Sequence, residues 1–335
     1  AICHTQDDLN TWADLMARSM YCAGIRKSDV FQNIAGYGLF TGGLGIHAGG
    51  ERLGCQTIPA GTGNTPRQIK FMQDFKVTVV HIIPSYAMYL AGQIEKAGIN
   101  PRSLSLKKAM IGAEPHSEEV RRKIEDLFDI DAYNSYGLSE MNGPGVAFEC
   151  EQKTGMHVWE DSYLMELLDP DTLEPVKDGE IGELVLTNLT RRAMPILRYR
   201  TGDLTRIIPG KCACGREHKR IDRIRGRSDD MFHIKGCNVY PMQVETVLMG
   251  YPEVEKNYLI TLDTVNDVDE MLVQVEVNDA MFVEDIRELT ALQRAMAHRL
   301  QNEILMTPKI VFVQQGTLPT SEGKAVRVLY KRKKI

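Results

Sequence analysis

The chain has 335 residues, 43% hydrophobic and 25% charged, which is enough apolar material for a large core and excludes a disordered or collagen-like polymer. A net charge of −5 supplies no general attraction to nucleic acid, and the basic stretch Lys331-Arg332-Lys333-Lys334 reads as a solvated terminus. No run of about 18 apolar residues spans a membrane, and the opening Ala1–Asp8 lacks the basic flank and apolar core of a secretory signal, so a cytoplasmic protein is expected.

At about 100–200 residues per domain, the length predicts two domains. Leu9, Trp12, Leu15, Met16, Ser19 and Met20 recur at helical spacing behind a capping pattern at Thr5–Asp8, predicting an amphipathic helix from Thr5 to about Ala23. Strand Lys76–Ile83, helix Ser85–Ala97, strand Lys107–Ile111, helix Ser117–Phe128 and strand Ile130–Tyr133 follow; such alternation predicts a parallel sheet with helical crossovers. After Gly145 the short runs Ser162–Leu168, Ile181–Leu186, Ile196–Tyr199 and Leu204–Ile208, punctuated by Pro, Gly and Asp, predict a mostly antiparallel sheet or small β-barrel. Beyond the linker-like Arg225–Asp230, helix Pro241–Met249, strands near Tyr258–Thr261 and Met271–Val277, helix Val283–Glu303 and strand Lys309–Val313 compose a small α+β module. The expected fold is therefore α/β, with a larger domain over 1–228 and a smaller one over 229–335.

The glycine-dense stretch Gly36–Gly45 matches neither the dinucleotide fingerprint nor the P-loop and reads as tight turns over a sheet; Gly323-Lys324 also fails the P-loop spacing. Asn134–Glu140 is more informative. It follows a predicted strand, where open parallel sheets bind ligands. Within a few residues it offers an aromatic face, a glycine for close approach, a hydroxyl and a carboxylate, the parts needed to stack a base, contact phosphate and hold Mg²⁺. The seven cysteines, odd in number and scattered, argue against a disulfide framework. Cys212-Ala213-Cys214 with His218, and Cys150 with His157 on a hairpin-like segment, supply soft ligands from two hairpins. That predicts structural zinc on Cys150, His157, Cys212 and Cys214, with His218 in reserve, and unligated thiols as the alternative. Cys3, Cys22, Cys55 and Cys237 read as ordinary small apolar residues.

Five segments in order, Gly112-Ala113-Glu114-Pro115, Ser135–Glu140, Tyr199–Leu204, Gly226–Gly236 and Leu318–Lys324, resemble the acyl-adenylate-forming enzymes. Within that superfamily Ser135–Glu140, Arg225–Asp230 with Asn238–Pro241, and the Cys212–Arg216 insertion look most like phenylacetate–coenzyme A ligases. The resemblance implies a nucleotide site formed by Gly112, Ala113, Glu114, Pro115, Ser135, Tyr136 and Gly137. In it Tyr136 flanks adenine, Ser139 contacts phosphate, Glu140 ligates Mg²⁺, Asp203 accepts from both ribose hydroxyls and Arg227 lies near ribose and phosphate. It also implies Asp229 as an interdomain pivot, Lys324 bridging the substrate carboxylate and α-phosphate, and the Lys235-Gly236 loop serving thioester formation.

Tyr37, Phe40, Ile82, Pro84, Ala113 and Pro144 are expected to wall an apolar slot for an aryl acid, phenylacetate being favoured while benzoate, hydroxyphenylacetate and indoleacetate stay open. In the family a phosphate-gripping loop lies just upstream of a His-Thr pair like His4-Thr5, so the chain is read as a fragment of a longer polypeptide lacking that loop and an N-terminal segment. The expected activity is an AMP-forming ligation of an aryl acid to coenzyme A with ATP and Mg²⁺. A catalytically silent nucleotide- or aryl-acid-binding module and an enzyme loading a carrier-protein thiol are the alternatives. Partners are the small molecules themselves, not nucleic acid or membrane, with a homodimer left open.

Overall fold

The computed structural model describes residues 1–38, 41–235, 237–265, 268–278, 281, 286–319 and 326–331. They form two compact units, one of residues 1–115 and 122–228, the other of residues 116–121 and 229–335. No helix of the described residues is long and apolar enough to cross a membrane.

The first unit runs α1 (Gln6–Cys22), β1 (Val30–Asn33), α2 (Thr41–Leu53), β2 (Gln56–Ile58), α3 (Thr65–Asp74), β3 (Val79–Ile82), α4 (Pro84–Lys96), β4 (Lys108–Gly112), α5 (Glu118–Phe128, shared with the second unit), β5 (Asp131–Leu138), β6 (Gly143–Glu149), β7 (Met156–Val158), β8 (Tyr163–Leu168), β9 (Gly182–Asn188), β10 (Tyr199–Thr205), β11 (Ile207–Ile208), β12 (Arg220–Ile221) and β13 (Gly226–Arg227). Nine strands form one sheet in the order β11-β12-β7-β6-β5-β4-β3-β1-β2. Neighbours from β2 to β5 are parallel and those from β5 to β11 antiparallel, so β5 is the seam between two pairing regimes. The expected parallel sheet is thus one half of a larger one. The second sheet, β13-β10-β9-β8, is antiparallel.

Three local expectations are corrected. The glycine-dense stretch is half helix: α2 starts at Thr41, and its glycines serve packing rather than turning. A Cβ on Gly45 would stand 2.0 Å from Trp12, and one on Gly49 2.4 Å from Met16, both on α1, so only hydrogen at these positions lets the helices approach this closely. Next, β5 does not end at Tyr133 but runs to Leu138, so the Ser135–Leu138 motif is strand, stabilised by pairing to β4 on one side and β6 on the other. Finally, Ile196–Tyr199 and Leu204–Ile208 are divided differently: one strand, β10, spans Tyr199–Thr205, paired with β9 at Tyr199–Arg200 and Leu204–Thr205 across an irregularity at Thr201–Asp203, and Ile207–Ile208 form the separate strand β11.

The core under the parallel half is built from Trp12, Met16, Met20, Phe31, Ile46, Tyr133 and Phe148, all buried. The capping expectation for α1 is met by a reciprocal box: the Asp8 backbone N–H donates to Thr5 Oγ1, and Asp8 accepts from the Thr5 N–H. Asp8 is 2% exposed and also accepts from the backbone N–H groups of Arg192 and Ala193, 184 and 185 residues away. Burial opposes its charge, but these hydrogen bonds win and hold the carboxyl well below the usual carboxylate range. Its stabilisation is therefore complete above the unfolded-chain value of about 3.9 and drains away as pH falls through the lower folded-state value. We expect Asp8→Ala to destabilise by about 2–4 kcal/mol at neutral pH, because it orphans several buried donors. Urea unfolding at pH 7 checks this, with the wild-type excess shrinking on acidification.

The second unit contains the β-hairpin β14 (Phe232–Ile234) and β15 (Cys237–Val239), helix α6 (Pro241–Met249), strands β16 (Val254–Val265) and β17 (Val268–Val277), helix α7 (Ile286–Ile304), and strands β18 (Lys309–Gln314) and β19 (Val328–Tyr330). Its sheet has the order β18-β17-β16-β19, antiparallel only between β16 and β17.

Candidate active site

The carboxyl ends of β1, β3, β4 and β5 bring most of the predicted residues to one edge of the large sheet. Gly112 ends β4 opposite Ser135 of β5, and a Cβ there would meet the Ser135 carbonyl and hydroxyl oxygens at 2.5 Å. Gly137 is more constrained still: a Cβ would lie 2.0 Å from the Gly143 carbonyl oxygen and 2.6 Å from the Pro144 Cα, both on β6. Ala113 turns out of β4 with φ of 68°, and Pro115 is exposed beyond it. The carboxylate of Glu114 accepts from the Ser85 backbone N–H and, at 3.0 Å, from its hydroxyl. Ser85 lies in the first turn of α4, where Ile83 at the N-cap offers no side-chain hydrogen bond, so Glu114 supplies the missing acceptor.

Tyr136 and Asp203 lie 67 residues apart in sequence, yet the Tyr136 hydroxyl donates to Asp203 Oδ2 at 2.6 Å. Arg227 Nη1 donates to Asp203 Oδ1 at 3.1 Å, from the residue directly opposite on β13. Both carboxylate oxygens are thereby oriented. Burial, followed by the adjacent Asp203 charge, pushes the Tyr136 phenol well above its ordinary value, so it remains a donor. Glu140 lies in the short 3-10 turn after β5, and its carbonyl accepts from Arg191 Nη1 at 2.6 Å. Tyr199 links the two halves of the site. Burial raises its phenol, as do the charge of Glu140 and the hydrogen bond to it; the Arg227 charge opposes that rise and the Asp203 charge adds to it. Ser139 Oγ lies 3.2 Å from Thr41 Oγ1 at the start of α2.

Of the proposed slot, Ile82 and Pro84 are buried, while Tyr37 and Pro144 are half-buried. The Pro144 carbonyl accepts from Trp12 Nε1 at 2.8 Å. The Tyr37 hydroxyl accepts from Asn33 Nδ2 at 3.0 Å and lies 3.1 Å from His47 Nδ1. Asn33 Nδ2 also donates to the Gly43 carbonyl at 2.8 Å, which leaves its Oδ1 to accept from His81 Nδ1 at 3.2 Å. Burial lowers His81 to about 4, so that ring is neutral near pH 7.

Lys324, Phe40 and Gly236 lie outside the described residues. Lys235 and Asp229 belong to the second unit; Lys235 is exposed, with φ of 48°, in the turn between β14 and β15, and Asp229 is exposed at the start of the unit. The four predicted metal ligands are brought together: one ligand atom each from Cys150, His157, Cys212 and Cys214 lies within 4.8 Å of the others. His218 offers that group only its backbone carbonyl, 3.2 Å from His157 Nδ1.

Sequence reasoning missed Thr41, Ser85, Asn33, His81 and the linking role of Tyr199. A signal existed for two of them: Asn33, beside Gln32 at the end of β1, and His81, in the otherwise apolar β3, are polar residues on the ligand side of a parallel sheet, where a buried polar side chain is unusual.

Residues 16–189 match the family model for AMP-binding enzymes, and residues 236–332 match that for the AMP-binding enzyme C-terminal domain. A phenylacetate–coenzyme A ligase of Thermus thermophilus is 44% identical over 98% of this chain and 77% of its own length. One of Pseudomonas putida is 43% identical over 98% of this chain and 74% of its own length. Among solved structures, a 2-hydroxyisobutyryl-CoA ligase in complex with R3-HIB-AMP superimposes with a TM-score of 0.93 at 29% identity, covering 98% of this chain and 71% of that one.

Proposed function

Because the chain belongs to the AMP-binding enzyme family, we propose that it is an ATP-dependent aryl-acid–coenzyme A ligase, with phenylacetate as its acid. It joins the acid to AMP with release of pyrophosphate, then passes the acyl group to the thiol of coenzyme A. The observation that carries this reading is the Asp203 carboxylate, oriented by Tyr136 and Arg227 beside the ligand edge of the sheet. A fixed carboxylate suits two vicinal ribose hydroxyls, since each oxygen retains lone pairs to accept one more hydrogen bond.

The remaining roles follow from chemistry and position. Gly112 and Gly137 let the strands at the nucleotide edge close on one another, Tyr136 flanks adenine, and Ser139 with Thr41 turns hydroxyls toward phosphate. The carboxylate of Glu140 and the hydroxyls of Ser139 and Thr41 are hard oxygen donors and fit Mg²⁺; when bound, that ion supplies positive charge to the phosphates. Tyr37, Ile82, Pro84 and Pro144 wall the aryl slot. Lys324 offsets the repulsion between carboxylate and α-phosphate, on the order of 4 kcal/mol per charge pair at 4 Å and an effective dielectric of 20. Asp229 is the hinge, and the Lys235-Gly236 loop serves the second half-reaction.

Mixing the protein with ATP, Mg²⁺ and phenylacetate should release pyrophosphate, and coenzyme A should then yield phenylacetyl-CoA and AMP. Lys324→Ala should cripple the first step and spare thioester formation from supplied acyl-adenylate. Nucleotide binding without pyrophosphate release from any aryl acid would refute the ligase assignment.

A further inference from the structure

The group formed by Cys150, His157, Cys212 and Cys214 is used by no step of the reaction. Cys150 directly follows β6, His157 is the middle residue of β7, and Cys212 and Cys214 lie between β11 and β12. Two tight turns face each other there. The Cys150 carbonyl accepts from the Lys153 N–H at 2.9 Å, with Lys153 left-handed at φ of 51°. The Cys212 carbonyl accepts from the Gly215 N–H at 3.1 Å, with Gly215 at φ of 82°. Each turn presents sulfur toward the other.

The spacing is that of a coordination shell. Metal–sulfur bonds of about 2.3 Å at tetrahedral angles separate sulfurs by about 3.8 Å, and a sulfur from an imidazole nitrogen by about 3.5 Å. Cys150 Sγ lies 3.7 Å from Cys212 Sγ, and Cys214 Sγ lies 3.4 Å from His157 Nε2. The sulfurs are not bonded to one another. Cys150 and His157 are fully buried, Cys212 is 6% exposed and Cys214 is half-buried, so the group is largely shielded from bulk water. His157 Nδ1 faces the His218 carbonyl at 3.2 Å, which fixes the proton on Nδ1 and leaves the Nε2 lone pair directed into the group.

We propose that these four residues bind one zinc ion as a closed structural site that staples the β6–β7 hairpin to the β11–β12 connection at the antiparallel end of the large sheet. Three thiol protons leave to solvent as the ion binds, giving a site of net charge −1. The Arg216 guanidinium, which donates to the Cys214 sulfur, offsets that charge. Soft thiolates with one imidazole select zinc over Mg²⁺, and four protein ligands fill a tetrahedral shell, which marks the site as structural rather than catalytic.

The test is metal analysis of the full chain after expression in zinc-supplemented medium, with cobalt exchanged for zinc as a spectroscopic probe. One zinc per chain is expected, and the cobalt form should show the intense visible bands of a tetrahedral site with thiolate ligands. His157→Cys should keep the metal and move the cobalt bands to those of an all-thiolate site, while Arg216→Met should lower affinity by about 10–100-fold. Cys214→Ser should release the metal; if that variant fails to fold, the His157→Cys and Arg216→Met readouts still decide. Purified chain that carries no metal and takes up no cobalt under reducing conditions overturns the proposal, as does a Cys150–Cys212 disulfide forming in the presence of excess zinc. Neither result depends on ligase activity.

Discussion

Replacing Asp203 by alanine is expected to lower kcat/KM for ATP by about 10²–10⁴-fold. The carboxylate already accepts from Tyr136 and Arg227, so its two oxygens are fixed before nucleotide arrives. Two further hydrogen bonds to an ionised acceptor contribute about 1.5–3 kcal/mol each, and every 1.4 kcal/mol is tenfold. The loss should fall mainly on ATP and leave the KM for the acid nearly unchanged. Pyrophosphate release measured across ATP concentrations checks this, and 2′-deoxy-ATP supplies the control. Wild type should discriminate strongly against it, and Asp203→Ala should not, a difference that general loosening of the fold does not produce. Retention of full discrimination by the variant would remove Asp203 from the ribose.

Gly137→Ala is the second large effect. The added methyl would meet backbone on the neighbouring strand, the Gly143 carbonyl oxygen at 2.0 Å and the Pro144 Cα at 2.6 Å, and backbone cannot turn aside as a flexible side chain can. The register of β5 against β6 already shifts between Tyr136 and Gly137, so the strand pair must open further or slip. We expect destabilisation of about 2–4 kcal/mol. Nucleotide binding should also fall out of proportion, because the same displacement moves Tyr136 away from Asp203. Thermal unfolding with a parallel nucleotide-binding measurement tests both; a stable variant with native affinity would show that the strands have more room than the structure gives them.

Much of this was legible in the residues. The helical period and the Thr5-x-x-Asp8 box give α1, and Pro241–Met249 is bounded by its own proline and glycine. The motif at Ser135–Glu140 could be placed at a ligand-binding edge because β4 and β5 read as parallel strands. What was not legible depends on partners distant in sequence. Nothing near Gly42–Gly50 says that its glycines face Trp12 and Met16 rather than turning the chain, since both uses leave the same composition. The Tyr136–Asp203–Arg227 chain joins two sheets, and a single sequence carries no register between them. The thiol group was readable because each pair of ligands is local, although Cys-x-Cys spacing alone does not reveal that His157, not His218, turns its ring toward the sulfurs.

The close seat of α2 on α1 bears on how mutational scans of this protein should be interpreted. Gly45 and Gly49 face α1, Gly43 faces the backbone of Gly36 and Tyr37, and Gly50 faces Phe31 and Thr57, each too near for a methyl group. A saturation library scored by growth would therefore show a band of intolerance along α2 as deep as that at residues touching nucleotide. Sensitivity ranked without a separate measure of soluble protein would take a helix contact for catalytic machinery.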